Sequence, residues 1–301
     1  MAFEIQEFYK ELDSHYRSLD NDKTRAFLQK MADETRGLYG SGIMRTSCPF
    51  CVESPECNYE YVTVCNEYAC FLRNISELDE SLVYFNEALL ELEQHYQTKN
   101  ANYATIRMNM AGTYRLMGKY DEAIELFKKS EKFFLDFGEA EKYSYVMAGI
   151  YNNLSLVYQD MQDYDQAAAY DIEALRYLPG HKDIQRATTL NNLACIYIKQ
   201  GQIDNAEEAI NQSIDILKDI DGGMNFHYPA SLNTLGTVLY KKGLPEAALE
   251  AFLTALNKTE AIYGKNIDYV NCCNNISRVY ADMGDQKSAD SYTRMAGEIS
   301  G

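Results

Sequence analysis

The chain is short of positive charge. Lys and Arg number 28 against 45 Asp and Glu, a formal net charge of −17. Phosphate backbones and anionic lipid surfaces are met by clustered Lys and Arg, so neither nucleic acid nor membrane is an expected partner. Long apolar runs are also missing. No stretch approaches the ~18 residues that a membrane-crossing helix needs. The first residues, MAFEIQEFYKELDSHY, lack a positive region ahead of an apolar core, so no signal peptide is expected and the expected location is cytoplasmic. Histidine is scarce. His15, His95, His181 and His227 stand apart, with no H-E-x-x-H and no triad-like neighbours. Gly222-Gly223 lacks the Lys-Ser/Thr of a phosphate loop. The expectation is a protein with no cofactor and no catalytic residues, not an enzyme. Tryptophan is absent, whereas tyrosine reaches 25.

The remaining composition, 46% apolar and 24% charged, is that of a folded chain. Eight cysteines without an export signal are expected as thiols. Cys48-Pro49-Phe50-Cys51 with Cys57 forms C-x2-C-x5-C, half of a zinc grip. A second C-x2-C is missing, and Cys65, which would complete a tetrahedron, falls on a helical segment. Free thiols are the expected state, with Cys48, Cys51 and Cys57 as the candidates should a metal be bound.

An internal repeat organises the chain. NMAGTYRLMGKYDEAIELF from Asn109, NLSLVYQDMQDYDQAAAYD from Asn153, NLACIYIKQGQIDNAEEAI from Asn192 and NISRVYADMGDQKSADSYT from Asn275 align without gaps. Weaker copies begin at Glu67 and Thr234. Each copy reads as two helices and a tight turn. A first apolar residue (Met110, Leu154, Leu193) and a second four later (Tyr114, Tyr158, Tyr197) make one helix face. A small residue beside the first (Ala69, Ala111, Ser155, Ala194, Gly236, Ser277) admits a partner helix. Gly118, Gly201, Gly243 and Gly284 suit left-handed helix ends. The second helix carries small residues seven apart, such as Ala123 and Ser130, with Phe85, Phe127, Ile210 and Phe252 between them. Asp171 and Thr293 break that rule.

This pattern resembles the tetratricopeptide repeat (TPR), with a period near 42 residues similar to the repeats of kinesin light chains and related bacterial proteins. The resemblance implies an all-α fold, a right-handed α-α superhelical solenoid of helix hairpins with a concave groove. Six repeats are expected over residues 59–301, ending in a polar capping helix. Residues 1–58 are expected to hold a capping helix pair and, from Gly37 to Pro55, a long loop.

In this fold the first helix of each pair lines the groove. Asn109, Asn153, Asn192 and Asn275 recur five residues before the large residue, with Thr234 in a deviant copy. An amide both donates and accepts, so a ladder of them suits a peptide backbone of any sequence. The resemblance implies that Asn here holds ligand backbone, as in peptide-binding members. The competing reading is that these amides, or the preceding Asn66, Asn152, Asn191, Asn233 and Asn274, bond the adjacent repeat. Arg115, Lys199, Lys241 and Arg278 would favour an acidic or carboxylate-bearing ligand. Tyr103, Tyr143, Tyr145, Tyr228 and Tyr269 either rim the groove or staple the starts of first helices. The expected function is a non-enzymatic scaffold that holds a protein or peptide segment in the groove. The alternatives are a bacterial signalling-peptide sensor, a self-assembling module that forms a homo-oligomer, and a zinc protein built on the cysteine loop.

Overall fold

A computed structural model describes residues 4–36, 57–95, 98–99, 101–136, 142–178, 180, 183–223 and 225–300. Among these, every regular element is an α-helix. The chain divides into two compact units, Met1–Tyr143 and Ser144–Gly301, each with its own hydrophobic core.

The first unit contains α1 (Ile5–Ser18), α2 (Asn21–Arg36), α3 (Tyr59–Asn74), α4 (Leu78–Gln94), α5 (Ala101–Leu116) and α6 (Tyr120–Asp136). The second contains α7 (Ser144–Asp160), α8 (Tyr164–Tyr177), α9 (Ile184–Gln200), α10 (Ile203–Asp221), α11 (Tyr228–Lys241), α12 (Pro245–Tyr263), α13 (Ile267–Asp282) and α14 (Gln286–Ser300). From α3 onward the helices pair in sequence, one hairpin per repeat copy. Within each unit, the second helix of one hairpin packs on the first helix of the next, as α10 does on α11 and α12 on α13. First helices also touch one another, so α11 meets both α9 and α13.

The small residues explain the close pairing. Ala69, Ala111, Ala194, Ala123, Ala206 and Ala248 are fully buried where the two helices of a hairpin cross. Where serine replaces alanine, its hydroxyl reaches a carbonyl of the partner helix. Ser81 donates to Ala69 O at 2.8 Å, Ser213 to Ala187 O at 2.7 Å, and Ser277 to Ala289 O at 2.9 Å. Phe85, Phe127, Ile210 and Phe252 fill the core between them, as their spacing predicts.

The turn is the same in all six hairpins. An amide two or three residues past the helix bonds back to the carbonyl of the second large residue. Examples are Glu77 N to Leu72 O (2.9 Å), Asp163 N to Tyr158 O (2.8 Å) and Gln202 N to Tyr197 O (2.8 Å). This closure puts the preceding residue in the left-handed region. Gly118, Gly201, Gly243 and Gly284 take it with φ between 72° and 82°. The first and third hairpins put Ser76 (φ 67°) and Gln162 (φ 62°) there instead. A side chain in this conformation costs about 1–2 kcal/mol, partly offset by the entropy that glycine loses on folding. Ser76→Gly and Gln162→Gly are therefore each expected to raise stability by roughly 0.5–1 kcal/mol in urea unfolding. Unchanged or lowered midpoints would show that these turns carry no such strain.

Two helices precede α3. Asp20 caps α2 by accepting from Lys23 N at 3.1 Å, so this helix begins at Asn21. Phe8, Leu12, Leu28 and Ala32 join the core of α3 and α4. At the other end of the chain, Asp290, Thr293, Arg294 and Glu298 are exposed on α14. Thr293 shares a hydrogen bond with Ser277 at 2.9 Å. The loop expected over residues 37–55, with Cys48 and Cys51, lies outside the described residues.

Candidate functional site

In the second unit, α9, α11 and α13 enclose a cavity of about 270 Å³. One wall is amide. Asn191 comes from α9, Asn233 and Thr234 from α11, and Asn271 from α13. The other wall comes from connectors: Phe226 and His227 ahead of α11, and Tyr263 at the end of α12. Thr259 and Cys272, both buried, and Asp268 complete the lining.

Local chemistry sets this wall. Buried Asn225 accepts from the amides of His227 and Tyr228, both at 3.0 Å, and donates to Leu217 O at 3.2 Å. That turn carries Phe226 outward to 62% exposure. Tyr263 then donates to Phe226 O at 2.6 Å, and the two rings face each other at 5.5 Å. Two aromatic rings are thus held at the mouth by backbone bonds, not by burial.

The amides divide into engaged and open ones. Asn233 Oδ1 accepts from Asn275 Nδ2 at 3.0 Å and from the Cys272 thiol at 3.7 Å. Asn191 Oδ1 is buried without a hydrogen-bond partner. A buried acceptor left unpaired costs about 1–3 kcal/mol.

The expected ladder is only partly available. Asn109 donates to Asn66 Oδ1 at 3.0 Å, one repeat back. Asn275 does the same to Asn233. Asn153 turns onto Gly149 O of its own helix at 2.8 Å. Asn152 accepts from Thr189 of the next repeat at 3.1 Å. Thr234 is buried and donates to Ala230 O at 3.2 Å. Among the four ladder residues, Asn192 alone has a half-buried side chain with no hydrogen bond. The cavity is reached by Thr234 of the ladder and, one residue earlier in the repeat, by Asn191 and Asn233.

The basic residues sit elsewhere. Arg115 is half-buried in the first unit. In the second, Lys199 and Lys241 are exposed on α9 and α11, eight residues beyond Asn191 and Asn233. Eight residues are about two turns, roughly 12 Å along the same helix faces. Arg278 donates to Asn275 Oδ1 at 3.1 Å and lies over the Tyr240 ring at 5.1 Å. Of the tyrosines, Tyr228 and Tyr269 are buried at helix starts and form no rim, whereas Tyr145 is exposed and donates to Asp183 at 2.8 Å.

No arrangement resembling a catalytic or metal centre occurs among the described residues. Their His, Cys, Asp and Glu form no cluster suited to a metal ion. His15 stacks on Phe27, and His95 lies 3.4 Å from Glu91. Burial pushes the thiols of Cys57 and Cys65 up to about 12. No helix among the described residues is long and apolar enough to cross a membrane. One buried group stands out. Asp171, where other repeats place Phe or Ile, is fully buried, and neither carboxyl oxygen has a hydrogen-bond partner. Burial pushes its carboxyl up to about 8, with the nearby Ser155 hydroxyl a lesser influence in the other direction.

Stacked hairpins closed by one recurrent turn, with first helices forming a polar face, define a helical-repeat interaction protein. Tetratricopeptide repeat models match residues 64–136 and 146–219, and again 230–266, more than half of the chain. The chain belongs to the tetratricopeptide repeat family. BtubC (BKLC) from P. vanneervenii is similar in structure, with a TM-score of 0.67 at 20% identity over 82% of this chain and 93% of that one. The apo form of RapI gives 0.66 at 16% identity, covering 98% and 97%. The apo quorum sensor NprR from B. thuringiensis gives 0.61 at 12% identity, covering 100% and 89%. Likenesses at this identity establish the fold. No curated protein matches the chain. Repeats of this family build protein-interaction scaffolds, generally without catalysis.

Proposed function

We propose that this protein is a non-enzymatic scaffold that holds an extended peptide or protein segment on the first-helix face of its second unit. The observation that carries this reading is the amide-lined cavity formed by α9, α11 and α13. Asn191, Asn192, Asn233 and Asn271 hold the ligand backbone. Lys199 and Lys241, two turns further along, meet an acidic residue or carboxylate. Residues 1–58 cap the repeats of residues 59–301. The affinity expected of such a groove is micromolar, about −8 kcal/mol.

The test is an arrayed hexapeptide screen on the full chain, followed by fluorescence anisotropy with the best binders. Asn191→Ala and Asn233→Ala are each expected to weaken binding about tenfold, the loss that follows from leaving a hydrogen bond of the complex unmade. Asn153→Ala, whose amide serves its own helix, is expected to leave binding unchanged. No peptide bound, or equal affinity in all three variants, would overturn the reading.

A further inference from the structure

The lining of the α11–α13 cavity is one-sided in its chemistry. Its charged side chain is the Asp268 carboxylate, and no Lys or Arg lines it. Asn191 also lines the cavity, but its Oδ1 is buried out of reach of a ligand. Phe226 and Tyr263, both exposed at the mouth, offer the negative faces of two rings. Nearby lysines are turned to other partners. Lys258 donates to Gly223 O at 3.1 Å and lies over the Tyr228 ring, and Lys265 lies over the Tyr269 ring. A carboxylate and two ring faces are independent features that attract a positive group. An anion entering here would meet Asp268 with no lining Lys or Arg to offset it.

We propose that this cavity receives a cationic group of the bound peptide, an ammonium or guanidinium, with an apolar side chain beside it against Phe226 and Tyr263. The inference rests on the peptide-binding reading and adds the chemistry of one subsite. Asp268 faces the charge, and the two rings cover its apolar neighbour. The cation is either a free peptide amino terminus or a Lys or Arg side chain.

The probes are three pools of fluorescent hexapeptides, each incubated with the full chain. The first has free amino termini and no Lys or Arg. The second is N-acetylated and contains one Lys or Arg. The third is N-acetylated and contains only neutral and acidic residues. The first or second pool is expected to bind at least tenfold more tightly than the third, and whichever does identifies the source of the cation. Asp268→Asn is expected to cut that preference about tenfold. Asp268 is exposed in the first turn of α13, and circular dichroism verifies that the variant is folded. Binding by all pools alike, or a preference that Asp268→Asn leaves intact, would overturn the subsite and leave the peptide-binding reading standing. No binding by any pool would overturn both.

Discussion

Replacing Asp171 by isoleucine is expected to stabilise the second unit by roughly 4–6 kcal/mol at pH 8, the scale set by a buried carboxyl that keeps its proton across about four pH units. Asp171 sits on α8 with no exposure and no hydrogen bond to either oxygen. Its carboxyl is pushed up to about 8 by burial, from an ordinary value of 3.8. Between those two pH values the unfolded chain has released the proton and the folded chain keeps it. Stability therefore falls as pH rises across that window, by about 1.4 kcal/mol per pH unit, and levels off above it. Isoleucine, the residue that the fourth repeat places here as Ile210, has no proton to hold. The Asp171→Ile variant is expected to lose this slope and to gain most near pH 8. Asp171→Asn keeps the volume and an unpaired amide, so it is expected to lose the slope with a smaller gain. Urea midpoints at pH 5 and pH 8 check both variants. A wild-type slope retained in Asp171→Ile, or a less stable variant at pH 8, would contradict this account of α8.

The second large effect is expected from adding one methyl group. Gly236 lies in the middle of α11, where alanine ordinarily gains about 1 kcal/mol in helix propensity. Here an added Cβ would meet the Phe252 ring at 2.6 Å. Relieving such a contact in a packed core costs about 1–3 kcal/mol, often more when a ring must turn. The clash outweighs the propensity gain, so Gly236→Ala is expected to destabilise by roughly 1–2 kcal/mol. Phe252→Leu removes the obstructing ring atoms, so the double variant is expected to lose less than the sum of the two single changes. A neutral or stabilising Gly236→Ala would show that Phe252 repacks freely.

The hairpins were legible in the sequence because their signals are local. Two large residues four apart, a small residue beside the first and a glycine after the second define a helix face and its end without reference to any distant group. The same turn at Ser76 and Gln162 was not legible, because the bond that enforces it is made by backbone atoms whatever the side chain. The amide ladder was half legible. Residue type and spacing place Asn109, Asn153, Asn192 and Asn275 on the first helices. Which neighbour each meets depends on how closely the next first helix approaches. Asn66 lies near enough to take Asn109, and Asn233 near enough to take Asn275, whereas the Asn191 oxygen is left without a partner. The aromatic mouth had no periodic signal at all. Phe226 and Tyr263 belong to a loop and a helix end, and the Asn225 turn that brings them together is written in one residue.

The most direct measurement is side-chain amide NMR of the full chain, titrated with a hexapeptide selected from the array. Resonances of Asn191, Asn233 and Asn271 are expected to shift together and to saturate at micromolar concentrations, while those of Asn109 and Asn153 stay in place. Saturable shifts at Asn109 and Asn153 with none at Asn191 would contradict the assignment of ligand binding to the α9–α11–α13 face.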